Sequence, residues 1–253
     1  MKSNNRQLII LAAGRGTRMN GGDLPKVLVH LAGRPMIDCV LESIARLNLP
    51  EKPIIVIGFQ KEKVQEIVGD RAEYVVQEEQ LGTGHAVSLA KDKLSKFEGN
   101  ITILYGDHPL VTSETVKKLF NSKESCDTVL TMGVITVPDF SGINEIFYHY
   151  GRIIRDLSGQ IIAIRELKDC SEQEKEIKEV NPGYYCFNSE WLWQNIDKLK
   201  NNNNQKEYYL TDLISLAFSQ KEKINSLDLD PIECLGVNTK EQLQIVEEII
   251  NSK

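Results

Sequence analysis

Three short segments of this chain carry residues whose types and spacing suit phosphate and metal chemistry. The first is Leu11-Ala12-Ala13-Gly14-Arg15-Gly16-Thr17-Arg18-Met19. Small residues and glycines let backbone N–H groups approach anionic oxygens closely, and consecutive N–H groups form an anion-binding concavity. Between Gly14 and Arg34 stand four basic residues (Arg15, Arg18, Lys26, Arg34) and one acidic (Asp23), a local charge of +3 in a chain whose formal total is −6. That contrast is what a polyphosphate site needs. Two commoner phosphate loops fail on spacing. A dinucleotide fingerprint wants glycine five positions after the first, where Met19 stands; a Walker loop wants Gly-Lys-Ser/Thr where Met19-Asn20-Gly21 stands. The bland alternative is a glycine turn with solvated arginines.

The second segment, Gln77-Glu78-Glu79-Gln80-Leu81-Gly82-Thr83-Gly84-His85-Ala86, reads as a strand end, a tight turn and a helix start with Thr83 as N-cap. The third, Ile103-Leu104-Tyr105-Gly106-Asp107-His108-Pro109-Leu110, puts a carboxylate at a strand's carboxyl end. Asp107 there can hold a hard divalent cation, or serve as an ordinary turn residue. His108 reads as solvated or locally hydrogen-bonded. Near the end of the chain, Asn238 with Glu241 forms a helix capping box, as does Thr239 with Gln242 one step later. If Thr239 caps, Asn238 is free to face a metal.

The elements that must position these residues alternate through the first half. Gln7–Ala12, Pro53–Ile57, Ala72–Val76 and Ile101–Tyr105 read as strands. Pro35–Leu47, Lys61–Val68, Thr83–Leu94 and Ser113–Asn121 read as helices, the first with Met36, Ile37, Val40, Leu41, Ile44 and Leu47 at helical spacing. Such alternation implies parallel crossovers and an open α/β sheet with helices on both faces, which binds ligands beyond the carboxyl ends of its strands. From about Asp127 the rhythm changes. Thr128–Val137, Arg152–Ile154, Gln160–Arg165 and Val180–Phe187 read as strands. A hairpin turn falls at Asp156-Leu157-Ser158-Gly159. Helices follow near Ser189–Leu199 and Thr211–Phe218, with a last one at Thr239–Ile250. This half reads as an antiparallel subregion laid over the sheet's open edge as a lid. Asn201–Asn204 reads as a solvent-exposed loop.

Bulk properties agree. The chain has 253 residues, 41% hydrophobic and 26% charged, enough for a real core. Its net negative charge argues against a general nucleic-acid or anionic-membrane binder. Five dispersed cysteines (Cys39, Cys126, Cys170, Cys186, Cys234) with no C-x-x-C pair fit reduced thiols and a cytoplasmic setting. No run approaches the roughly 20 apolar residues that span a bilayer.

The LAAGxGTRM…LPKVL pattern from Leu11 to Leu28 resembles the sugar nucleotidyltransferases, in particular the uridyltransferase (pyrophosphorylase) domain of bacterial bifunctional N-acetylglucosamine-1-phosphate uridyltransferase. Further matches are Leu81-Gly82-Thr83-Gly84-His85, Tyr105-Gly106-Asp107, Tyr150-Gly151-Arg152-Ile153, Glu166-Leu167-Lys168-Asp169, Asn181-Pro182-Gly183, Glu207-Tyr208-Tyr209-Leu210-Thr211-Asp212 and Gly236-Val237-Asn238. The resemblance covers roughly Leu8 to Leu243. Pro182 stands where the family has Thr, His108 where a small apolar residue is expected, and Asp139–Tyr150 is longer and more aromatic than usual.

The resemblance implies a Rossmann-like, mostly parallel sheet with an antiparallel sugar-binding subregion. It implies one nucleotidyltransferase domain over 1–253, with a nucleotide half to about 126 and a sugar half beyond it; no acetyltransferase domain is expected here, although the bifunctional relatives continue into one. It implies that Leu11, Ala12, Ala13 and Gly14 wrap the triphosphate, and that Arg18 and Lys26 contact phosphates. Gln77, Gly82 and Thr83 would read uracil; Tyr105, Gly106, Gly151, Glu166, Asn181, Tyr209 and Thr211 would line the sugar. Asp107 and Asn238 would hold Mg²⁺. The implied reaction joins UTP to N-acetylglucosamine 1-phosphate with release of pyrophosphate. The alternatives are another sugar 1-phosphate (glucose or N-acetylmuramic acid) or a non-catalytic nucleotide-sugar-binding domain.

Overall fold

Every residue from Leu8 to Ala12 is buried, because the strand that holds them is covered on both sides. Leu8 and Ile10 pack into one apolar cluster, and Ile9 and Leu11 into another on the opposite face. A continuous apolar run is what a central parallel strand requires. The computed structural model describes residues 5–16, 19 and 24–252. The strands of its main sheet are β1 (Arg6–Ala12), β2 (Ile54–Ile57), β3 (Glu73–Val76), β4 (Asn100–Tyr105), β5 (Leu130–Thr136), β6 (Gly151–Arg155), β7 (Ile161–Arg165), β8 (Glu179–Asn181), β9 (Tyr185–Asn188) and β10 (Ile224–Asp228). They form one sheet in the order β3-β2-β1-β4-β9-β5-β8-β6-β7, with β10 paired to β5. The first four strands are mutually parallel.

Helices cover both faces. On one lie α1 (Met36–Ala45), α2 (Lys61–Val68), α5 (Ser113–Ser125) and α9 (Lys240–Asn251). On the other lie α3 (Thr83–Ser88), α4 (Lys91–Leu94), α7 (Ser189–Asn195) and α8 (Asp212–Ser219). A short α6 (Glu172–Lys175) stands between β7 and β8. In α1, Met36, Ile37, Val40, Leu41 and Ile44 are the buried stripe, matching the spacing read in the sequence. Among the described residues no helix is long and apolar enough to cross a membrane. The five cysteines are free; Cys39, Cys186 and Cys234 are buried, while Cys126 and Cys170 are half-buried.

The second half differs from the sequence expectation in one respect that matters. The antiparallel strands are not laid over the sheet as a lid; they continue it. The stretch read as one strand, Val180–Phe187, is broken at Pro182-Gly183, where Gly183 takes φ +85°. Its lower part, β9, pairs with β4, and its upper part, β8, pairs with β6. The hairpin β6–β7 therefore rises beyond the carboxyl end of β4 as a wall. Other differences are local. The helix expected over Thr83–Leu94 is two short helices, and β10, the 3-10 turn Gly142–His149 and α6 carry too weak a period to read from sequence. The asparagine run is exposed only in part. Asn203 Nδ2 donates to Glu207 O (2.6 Å) and Asn204 Nδ2 to Lys168 O (2.8 Å), which ties the loop to the wall.

Candidate functional site

The glycine loop leaves the carboxyl end of β1. Leu11, Ala12 and Ala13 are buried, whereas Gly14 is exposed. Gly16 has φ +67°, and a Cβ there would lie 2.8 Å from Lys26 Cβ, so glycine lets the loop lean on Lys26. Lys26 N in turn donates to Gly14 O (3.4 Å). The basic residues do not all converge. Arg34 pairs with Glu42 (2.6 Å), and the Arg15 guanidinium lies over the Phe59 ring. Arg18 lies outside the described residues. Among the described residues of this loop region, Lys26 is the cation turned toward the carboxyl end of β4.

Its ammonium donates to both Asp107 Oδ2 and Asn238 Oδ1. Asp107 follows β4 directly, and Val237 N donates to Asp107 O (3.0 Å), locking the segment before α9 against it. Thr239 is the N-cap of α9, accepting from Gln242 N, so the Asn238 side chain is left to face Lys26. Burial alone would raise the Asp107 carboxyl; the Lys26 charge, His108 and the hydrogen bond from Lys26 outweigh it and hold it below the usual carboxylate range. Two oxygens thus converge on one cationic position at the sheet's carboxyl end.

Gln77, 4% exposed, follows β3 directly. Its Nε2 donates to Gly82 O (3.1 Å) and lies 3.1 Å from His85 Nδ1. Gly82 has φ +110°, and a Cβ would meet Tyr208 O at 2.6 Å. Thr83 is not the N-cap expected from sequence. It is the first residue of α3, Gly82 takes the cap position, and Thr83 Oγ1 accepts from Leu210 N (3.1 Å). The turn is bonded to residues 208–210 on both sides, through Tyr208 N to Leu81 O and Gly84 N to Tyr208 O. Two segments far apart in sequence meet there.

The remaining residues lie at the end of β4, along the β6–β7 wall and just before α8. Tyr105 packs against Gly183; burial, with Glu166 and Asp107 nearby, drives its phenol pKa up. Gly106 sits tightly between Ile37 and Val27. Asn181 faces Gly151 across β8–β6, and its Oδ1 accepts from Gly183 N (3.0 Å) and Tyr185 OH (2.9 Å). Glu166 accepts from Thr211 Oγ1 (3.1 Å); burial raises its carboxyl pKa against that bond, with Asp169, Asp212 and Glu207 adding to the rise. Tyr209 OH accepts from Gln205 Nε2 (2.6 Å).

Sequence reasoning missed the layer behind the cation position. His108 is 7% exposed, not solvated, and its Nδ1 lies 3.1 Å from Tyr184 OH. Burial depresses its pKa to about 4 despite Asp107. Tyr150 belongs to this layer too: its OH donates to Cys234 O (2.8 Å) and accepts from Gly236 N (2.9 Å). Arg152 is fully buried, donates to the Tyr148, Tyr150 and Lys175 carbonyls, and stacks on Phe140 and Tyr148. The aromatic excess in Asp139–Tyr150 was the only available signal, and it is equally a sign of plain core.

This site, at the carboxyl end of an α/β sheet, belongs to a recognised class: the chain is a member of the MobA-like NTP transferase domain family, which it matches over residues 8–157. Over 246 residues it is 41% identical to the Bifunctional protein GlmU of Streptococcus uberis (strain ATCC BAA-854 / 0140J), covering 97% of this chain and 52% of that protein. It is 43% identical over 246 residues to the protein of the same name from Streptococcus equi subsp. zooepidemicus (strain ATCC 35246 / C74-63), with the same coverage. The chain spans about half the length of these relatives.

Proposed function

We propose that the chain is a sugar-1-phosphate nucleotidyltransferase that forms UDP-N-acetylglucosamine and pyrophosphate from UTP and N-acetylglucosamine 1-phosphate. The observation that carries this is the convergence of Asp107 and Asn238 on the Lys26 ammonium, beside the glycine loop. In the reaction, a phosphate oxygen of the sugar phosphate forms a bond to the α-phosphorus. The bond from that phosphorus to the bridging oxygen breaks, and pyrophosphate leaves with the electron pair. The attacking oxygen is already anionic near neutral pH, so no side-chain base is needed, and the protein acts by positioning and charge stabilisation.

The donor set suits Mg²⁺. A carboxylate and an amide oxygen aimed at one cation are hard ligands, and Mg²⁺ usually takes one or two protein oxygens and completes its shell with phosphates and water. When bound, the ion would supply positive charge that eases the repulsion of the two reacting phosphates. Asp107 and Asn238 would hold the ion, and Lys26, which draws on the same two oxygens, would then be available to the phosphates. Arg18, by this reading, also contacts them. The N–H groups around Ala13 and Gly14 receive the triphosphate, and the Gln77 amide oxygen accepts from uracil N3–H. Glu166, Asn181, Gly151, Tyr209 and Thr211 hold the sugar. Residues to about 126 form the nucleotide half and those beyond it the sugar half. The five free thiols accord with a cytoplasmic setting.

Pyrophosphate release tests the reading, with N-acetylglucosamine, glucose and N-acetylmuramic acid 1-phosphates each offered with UTP, dTTP or CTP. Turnover should be highest with UTP and N-acetylglucosamine 1-phosphate. Binding without pyrophosphate in every combination would leave only a nucleotide-sugar binder.

A further inference from the structure

His108 lies directly behind the Asp107–Asn238 pair and touches the two segments that carry it. On one side its backbone follows Asp107. On the other, its Nε2 would stand 2.7 Å from a Cβ placed on Gly236, so only glycine lets the segment leading to Asn238 pass this close. The direction of its hydrogen bond follows from counting protons. Tyr184 OH has a single proton and donates it to Glu233 O (3.0 Å). Its oxygen therefore accepts from His108 Nδ1. Nε2 lies 3.9 Å from Asp107 Oδ1, too far for a direct bond. The ring thus links Asp107, through Tyr184, to the carbonyl that opens the Glu233–Asn238 segment. Stacking on Tyr105 and Tyr150 fixes the plane of the ring.

We propose that His108 is a positioning residue: through Tyr184 it braces the Glu233–Asn238 segment against Asp107 and so sets the separation of the two oxygens that receive the divalent cation. The proposal rests on the metal reading given above. Nothing in the brace touches substrate. Its effect is on how well Asp107 and Asn238 are prepared for the ion, and outer partners of ligands commonly govern metal affinity by ten- to a hundred-fold.

The test is Mn²⁺ binding to the full chain with UTP, followed by electron paramagnetic resonance of free Mn²⁺, for wild type, D107N, H108L, H108N, Y184F and the H108L/Y184F double variant. Circular dichroism verifies that each is folded. His108→Leu fills the space without a donor and should weaken Mn²⁺ about tenfold. Y184F should do the same. The double variant should be no worse than either single, because both break one link. His108→Asn, whose amide nitrogen reaches where Nδ1 stands, should restore affinity to within about threefold. A purely space-filling histidine predicts the reverse order for Leu and Asn. Wild-type affinity in H108L, or additive losses in the double variant, overturns the brace while leaving the metal site intact. Undiminished Mn²⁺ binding by D107N overturns the metal reading itself.

Discussion

Replacing Lys26 by Met tests whether the ammonium and a divalent ion share one seat. Lys26 and Asp107 are each only 14% exposed, so Lys26→Met strands a carboxylate where water reaches poorly. Breaking a buried pair by removing one partner costs about 3–5 kcal/mol; the lower end suits a site at the rim of a cleft. For a chain of this size, about 3 kcal/mol corresponds to a fall in Tm of about 6–12 °C. The fall should be seen in EDTA. A divalent ion that binds only the folded state at a hundred times its Kd returns about 2.7 kcal/mol, so saturating Mg²⁺ should restore most of the loss in K26M. Wild type should respond less, because the ion must first displace the lysine. Thermal unfolding of both proteins, with EDTA and with Mg²⁺, gives all four numbers. If K26M melts within about 2 °C of wild type in EDTA, or gains no more from Mg²⁺ than wild type does, the shared seat is refuted.

Three further outcomes are expected. Asp107→Ala should lower pyrophosphate release by on the order of 10² or more, the range seen when one preorganised electrostatic group is lost; near-normal turnover would exclude it from the cation site. Arg152→Leu should destabilise the fold by about 3 kcal/mol or more in urea titrations, because three half-buried carbonyls lose their donor at about 1–3 kcal/mol each. Glu166→Gln should raise Tm at neutral pH. The Glu166 carboxyl is raised from 4.5 by burial, so its share of stability is full below about 4.5 and is lost as pH rises through the elevated value. The advantage of Gln should therefore shrink toward pH 4.5, and a constant difference across pH would contradict the burial effect.

The parallel half of the fold was legible because its signals are local. Apolar runs of strand length, the stripe in α1 and the turn at 81–84 each follow from neighbouring residues, and their bounds agree to within a few positions. The convergence of Lys26, Asp107 and Asn238 was legible only through family pattern, since the three are brought together by β4 and the start of α9, far apart in sequence. The layer behind them was not legible. A histidine next to an aspartate carries no mark of burial, and an arginine in a strand reads as solvated, yet Arg152 is fully enclosed by carbonyls and rings. The break at Pro182-Gly183 was hidden because apolar residues lie on both sides of it. Thr83 was misread because a threonine before a helix is usually its cap, whereas here the Leu210 amide takes its hydroxyl.

That break also bears on how the cleft can work mechanically. One length of backbone runs from the β6–β7 wall into the parallel part of the sheet, bonded to β6 above and to β4 below, with the Tyr105 ring wedged at the joint. Swinging one against the other would tear main-chain pairings and eject that ring. The two regions are therefore held to one another by main-chain pairing rather than joined at a hinge.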